Sequence, residues 1–247
     1  MIAAIIQART GSKRLPNKVF KQLCNKPLIW HIINRLKYSK KIDKIILATT
    51  LNPDDNILEV WADENNILCF RGSENDVLGR FYSTAQYFKV DTIVRITADD
   101  PFKDPEIIDL VIKFFEENNL DFAYNNNPPT FPEGLDTEVF SFDALEKAFF
   151  NSVDSFEREH VTQYFYRNPS TFRQACIMNN TDFSYLRWTI DTQQDWDMAE
   201  IIYNRLYKIK ENFNMSDILE LLNKEPQIAK INSSVTRSAM YNNNKQR

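Results

Sequence analysis

Short apolar runs alternate along the chain with longer amphipathic stretches, the pattern of a mostly parallel sheet covered by helices. The runs predict strands over 2–7, 44–49, 67–70, 92–97, 121–124, 135–140, 172–177 and 185–190. Stretches with an apolar period of three to four predict helices over 27–38, 54–65, 75–88, 105–118, 142–150, 155–167, 193–208 and 216–223. Asn52-Pro53-Asp54-Asp55 suits a helix start, and Thr192 with Asp195 has the spacing of a capping box. No internal repeat is visible. Asn125-Asn126-Asn127-Pro128-Pro129 interrupts regular structure and opens a middle insertion, whereas the polar, Asn-rich stretch from Ser233 predicts a frayed tail. The expected organisation is one α/β domain over 1–232, an insertion over 125–180 and a tail over 233–247.

Chemistry concentrates where predicted strands end. The first strand runs into Gln7-Ala8-Arg9-Thr10-Gly11-Ser12-Lys13-Arg14-Leu15-Pro16-Asn17-Lys18. α/β proteins bind ligands at the carboxyl edge of the sheet. Backbone N–H groups with Arg9, Lys13, Arg14 and Lys18 could surround a polyphosphate there. The loop lacks the Gly-Lys-Ser/Thr close of a Walker A and is not Gly-x-Gly-x-x-Gly. A charge cluster is usually just a solvated turn. Four cations directly after a buried strand argue against that reading here.

A second strand, Ile93-Val94-Arg95-Ile96-Thr97, ends in Ala98-Asp99-Asp100-Pro101, and Pro101 turns the chain out of the sheet. Leu186-Arg187-Trp188-Thr189-Ile190-Asp191 repeats the arrangement far along the chain. Two carboxylates on strand ends facing a polyphosphate loop suit Mg²⁺, whose octahedron is completed by phosphate oxygens and water. Taken singly, Asp99 reads as a turn residue and Asp191 as a helix cap, as Asp100 and Asp195 do. A third constellation joins Phe131-Pro132-Glu133-Gly134-Leu135-Asp136-Thr137-Glu138 to Glu157-Arg158-Glu159-His160-Val161-Thr162 as a candidate acceptor site. In isolation His160 reads as an ordinary helix-face histidine.

The net charge of −4 makes the cationic loop a local feature, which argues against a nucleic-acid-coating surface. Three scattered cysteines and two histidines support neither a disulfide framework nor a zinc site. The apolar start is too short for a signal peptide and no run reaches transmembrane length, so no membrane partner and a cytoplasmic location are expected. Glycine occurs only four times where ordinary usage gives roughly 17. Three of the four (Gly11, Gly72 and Gly134) fall in segments singled out on other grounds; Gly79 falls inside a predicted helix.

In these residues the chain resembles the cytidylyltransferases that activate acidic sugars, in particular the spore-coat polysaccharide branch related to the acylneuraminate and 3-deoxy-manno-octulosonate enzymes. The loop from Gln7 to Lys18 resembles their nucleotide loop. Further branch motifs are matched in order by Phe70-Arg71-Gly72-Ser73, Val77-Leu78-Gly79-Arg80, Thr97 to Pro101, Pro132 to Glu138, Glu157 to Thr162 and Thr189 to Thr192. Ala98 departs from the branch, which usually has glycine there. The resemblance covers most of 1–230. It implies a Rossmann-like mixed, mostly parallel sheet flanked by helices, of the nucleotide-diphospho-sugar transferase type, with a small dimerisation arm in 125–180.

It also implies a Mg²⁺-dependent transfer of CMP from CTP to an acidic sugar for surface polysaccharide synthesis, with pyrophosphate released and a homodimer as the assembly. Arg9 and Lys18 would then be catalytic on the triphosphate, and Asp99 and Asp191 catalytic through the metal. Ala8, Arg9, Gly11, Ser12, Lys13, Arg14, Lys18 and Asp99 would bind nucleotide, with Arg71, Ser73 and Arg95 near the nucleoside. Asp136, Glu138, Arg158 and His160 would contact the acceptor. An in-line attack on the α-phosphorus needs positioning and charge stabilisation more than covalent help. A phosphorylated acceptor giving a CDP-linked product is the alternative, with Arg158, Arg167, Arg173 and Arg187 as spare cations. A silent nucleotide-binding protein would have lost a carboxylate or the loop lysine, and this chain keeps both.

Overall fold

A computed structural model describes residues 1–12 and 14–236. Seven strands form one sheet around β1 (Ile2–Gln7). β4 (Lys44–Thr50) and then β5 (Leu68–Gly72) lie parallel on one side of it, and β6 (Thr92–Thr97) lies parallel on the other. Beyond β6 come β8 (Glu138–Ser141), β7 (Phe122–Tyr124) and β9 (Gln174–Cys176). Only β8 runs against the rest. A two-stranded hairpin, β2 (Gln22–Leu23) with β3 (Lys26–Pro27), follows the basic loop and was absent from the predicted elements.

Strand alternation assigns the two faces of the sheet. Ala4, Ile6, Leu47, Val94, Ile96, Ala123 and Val139 point to one side. There they meet α1 (Leu28–Leu36), α2 (Asn56–Glu64), α4 (Pro105–Glu117), α8 (Gln193–Leu206), α9 (Met215–Lys224) and α10 (Gln227–Lys230). Ala3, Ile5, Ile46, Ala48, Ile93, Phe122 and Phe140 point to the other side. That face is covered by α3 (Val77–Phe88), α5 (Phe142–Asn151) and α7 (Gln163–Arg167), while α6 (Ser155–Glu159) packs against α3. Among the described residues no helix is long and apolar enough to cross a membrane.

Helix starts follow the sequence closely. Thr192 and Asp195 form the capping box, and Asn52 Oδ1 accepts the Asp54 N–H at 3.1 Å. Such caps contribute about 1 kcal/mol each. Gly134 sits at φ +105°, and a Cβ there would lie 2.7 Å from the Thr189 nitrogen, so both conformation and space require glycine.

Three expectations are corrected. Residues 185–190 are not a strand; their backbone bonds go to Glu133 and to Asp99. The helix over 155–167 is two short helices, because Val161 adopts φ +47° and breaks the ladder at His160. The chain from 135 to 137 is a loop, and the strand starts only at Glu138. The stretch from Ser233 is bonded at its start: the Ser233 and Val235 N–H groups donate to the Lys230 and Asn232 carbonyls. Residues 237–247 of the expected tail, like Lys13, lie outside the described residues. The insertion over 125–180 contributes β8 and β9 to the main sheet.

Candidate active site

Parallel pairing sets the site. β1 and β6 run in register from Ile2 opposite Thr92 to Gln7 opposite Thr97, so the basic loop and the Asp99 turn leave the sheet side by side. The Ala98 N–H continues the ladder by donating to Gln7 O at 3.1 Å. The third segment reaches the same edge without being a strand: the Ile190 N–H donates to Asp99 O at 2.8 Å. Residues 9–18, 99 and 191 thereby converge.

Lys18 lies in a short 3₁₀ turn (Lys18–Phe20) behind Asn17, which takes the left-handed conformation. Its Nζ donates to Asp99 Oδ2 at 3.1 Å, Asp191 Oδ1 at 3.1 Å and Ile190 O at 2.8 Å. All three ammonium protons are used. Burial disfavours that charge, but the two carboxylates outweigh it and hold the Lys18 pKa above its ordinary value. Burial likewise pushes Asp99 up, yet the Lys18 charge and the hydrogen bonds from Thr97 and Lys18 bring it below the usual carboxylate range. Arg14 Nη2 adds a contact of 3.2 Å to Asp191 Oδ1. These groups line a cleft of about 400 Å³ with Ala8, Arg9, Gly11, Ser12 and Ala98.

The loop is anchored by residues that sequence reading missed. Asp55, buried at the start of α2, accepts the Thr10 N–H at 2.7 Å and the Thr10 hydroxyl at 2.8 Å. Arg9, which lines the same cleft, meets Glu74 at 3.2 Å.

A second cleft of about 360 Å³ adjoins the first and holds the acceptor candidates Asp136, Glu138 and His160 together with Arg95. Arg95 Nη1 donates to Glu138 Oε2 at 2.6 Å. Glu138 Oε1 accepts from the hydroxyls of Thr162 at 3.0 Å and Tyr166 at 2.9 Å. The break at Val161 is what delivers Thr162 to this carboxylate. Lys103, fully buried, meets Asp100 at 3.0 Å and donates to the Asp136 carbonyl. Burial raises the Asp100 carboxyl to about 6 against the pull of that lysine. Burial lowers His160, which favours the neutral imidazole. His31 is elsewhere: buried on α1 against the Leu23 carbonyl, it falls to about 4 and is structural.

Three expected site residues are placed outside these two clefts. Arg71 donates to the Thr50 and Asn52 carbonyls and pairs with Glu59, clamping the end of β4 to α2. Ser73 Oγ accepts the Asp76 N–H at the start of α3. Arg158 donates to Phe149 O and stacks on its ring. A different arginine, Arg80, lines a third cleft of about 350 Å³ beside Gln7, Ala8, Arg9 and His160. It is buried with no partner for its Nε among the described residues, and burial together with the nearby Arg9 charge lowers it to about 10. In the sequence it stood at the end of the Val77-Leu78-Gly79-Arg80 motif, without a role assigned to it.

This geometry coincides with a family match. The profile of the cytidylyltransferase family fits residues 3–244. The chain belongs to that family. It is 41% identical to an uncharacterised protein of Methanocaldococcus jannaschii, over 96% of this chain and 97% of that one. It is 32% identical to the spore coat polysaccharide biosynthesis protein SpsF of Bacillus subtilis, over 92% and 96%. Among solved structures, a cytidylyltransferase from Leptospira borgpetersenii superposes with a TM-score of 0.88 at 32% identity, covering 96% and 98%. The protein is therefore an enzyme of the cytidylyltransferase class.

Two carboxylates and a cation between them also test the donor set for Mg²⁺. The site fits: the Lys18 ammonium shows that a positive charge is stable between Asp99 and Asp191. No group of three or more His, Cys, Asp or Glu stands ready to hold a metal among the described residues. Mg²⁺ tolerates that, since it takes one or two carboxylates and completes its shell from phosphates and water.

Proposed function

We propose that this cytidylyltransferase uses CTP and Mg²⁺ to transfer CMP to a hydroxyl of an acidic sugar, releasing pyrophosphate, in the synthesis of a surface polysaccharide. The observation that carries the proposal is Lys18 held between Asp99 and Asp191 on the floor of the loop's cleft. The exposed Arg14, the Ala8 to Ser12 backbone and Arg9 suit a triphosphate along the loop. A Cβ on Gly11 would meet nothing within 4 Å, which suits close approach of a phosphate. Arg80, which lines the third cleft beside the loop, suits contact with the nucleoside as well. Lys18 and Arg14 leave their carboxylates for the developing charge on the departing phosphates. Asp99 and Asp191 would hold Mg²⁺, which would supply further positive charge at the phosphates and make an acceptor hydroxyl easier to deprotonate.

The second cleft favours a sugar acid over the phosphorylated acceptor. Its lining carries Arg9, Arg14, Arg95 and Lys103 against Asp99, Asp100, Glu133, Asp136, Glu138 and Asp191. An acidic wall suits hydroxyls, which donate to carboxylates, and repels a phosphate of up to about two negative charges more strongly than the single carboxylate of a sugar acid. The B. subtilis relative's name supports a role in polysaccharide synthesis.

The test is pyrophosphate release with each of the four NTPs against panels of sugar acids and sugar phosphates. Turnover is expected with CTP, Mg²⁺ and a sugar acid. Preference for a sugar phosphate, or for another base, overturns the proposal.

A further inference from the structure

The two halves of the cleft are joined by a buried arginine that lines neither of them. Arg187 is 7% exposed, and its planar fork meets three carboxylates in three directions. Nε and Nη2 donate to Asp195 at 3.0 and 3.3 Å. Nη2 also donates to Asp191 Oδ2 at 3.0 Å, and Nη1 lies 2.8 Å from Glu133 Oε2. A lysine could supply the charge but not these directions.

Asp191 is held twice. Arg187 takes its Oδ2, and Asp195 Oδ2 accepts its backbone N–H at 3.0 Å. Oδ1 is left to face Lys18 and Arg14 in the cleft. The chain also ties the acceptor turn to this point: the Glu133 N–H donates to Leu186 O at 2.9 Å, and the Trp188 N–H donates to Glu133 O at 2.7 Å. Asn232, buried beyond α10, closes the cluster by donating to Arg187 O and to Asp195 Oδ1, both at 2.9 Å. A capping box needs only Thr192 and Asp195. Arg187 and Asn232 are additions to it, and both bear on Asp191.

We propose that Arg187 is a positioning residue: with Asn232 it sets which oxygen of Asp191 faces the cleft and couples that carboxylate to the acceptor turn at Glu133. The proposal rests on the assignment of Asp191 to cation binding made above. Partners behind metal-ligating carboxylates typically matter about 10–100-fold in metal affinity or activity.

The test uses the full chain with Mn²⁺ as a spectroscopic probe, titrated in the presence of CTP. Arg187→Lys and Asn232→Ala are expected to weaken Mn²⁺ binding about tenfold. CTP binding without metal stays unchanged, because the triphosphate groups on the loop are untouched. Asn232→Ala removes one uncharged side chain and carries the test if Arg187→Lys does not fold. A lower melting temperature with unchanged Mn²⁺ affinity makes the cluster a structural clamp only and overturns the proposal. A wild-type chain that binds no Mn²⁺ with CTP and releases no pyrophosphate instead sinks the assignment of Asp191, and the coupling falls with it.

Discussion

The nucleotide half and the acceptor half of the cleft carry similar side chains in opposite states. On the nucleotide side the Arg9 and Arg14 side chains are 52% and 63% exposed, each with one carboxylate contact. On the acceptor side Arg95 and Glu138 are 13% and 5% exposed, and Glu138 is crossed by further bonds from Thr162 and Tyr166. Exposed pairs contribute little to stability and release their cations easily. Buried pairs are costly to break from one side. The two arginines of the first half are therefore free to rearrange around a ligand, while Lys18, 12% exposed between its carboxylates, and the wall of the second half are preformed.

The largest expected effect tests the wall. Glu138→Ala leaves Arg95 buried beside an empty position and lowers the unfolding free energy by about 3–5 kcal/mol, read from the urea midpoint. A loss below about 1 kcal/mol would make the two halves alike. Asp99→Asn comes next: it keeps the fold but reduces turnover at least about a hundredfold, the range for loss of one electrostatic stabiliser. Pyrophosphate release in saturating Mg²⁺ measures this, and a near-normal rate refutes the role of Asp99. Arg14→Ala raises the KM for CTP about tenfold, near 1.4 kcal/mol. Its melting temperature stays unchanged. The smallest effect on function belongs to Arg71→Ala. With its bonds to Thr50, Asn52 and Glu59 lost, it costs about 1–2 kcal/mol of stability and leaves the KM for CTP alone. A large change in that KM would return Arg71 to the nucleoside.

Much of this was legible from the chain. Lys18 lies in the cationic loop after the first strand and Asp99 at the end of another, and such ends gather at one sheet edge when strands are parallel; Asp191 reaches that edge through the Ile190 bond to Asp99. Arg71 and Ser73 lie outside the two clefts, since a motif gives a residue's place along the chain and not the direction of its side chain. Asn232 gave no local signal and Arg187 read only as a spare cation, because the bonds from Arg187 to Glu133 and from Asn232 to Arg187 span long stretches of chain and leave no local pattern.

Periodicity by itself determined the layers, the helix starts and the clustering of charge at turns, because these depend on contacts between near neighbours. The tertiary structure decided that 185–190 is no strand, that the helix breaks at Val161, and that one lysine bridges carboxylates 81 and 173 positions away. Those outcomes depend on which backbone and side-chain groups find partners across the sheet edge. Only the closed fold brings such partners within hydrogen-bond range.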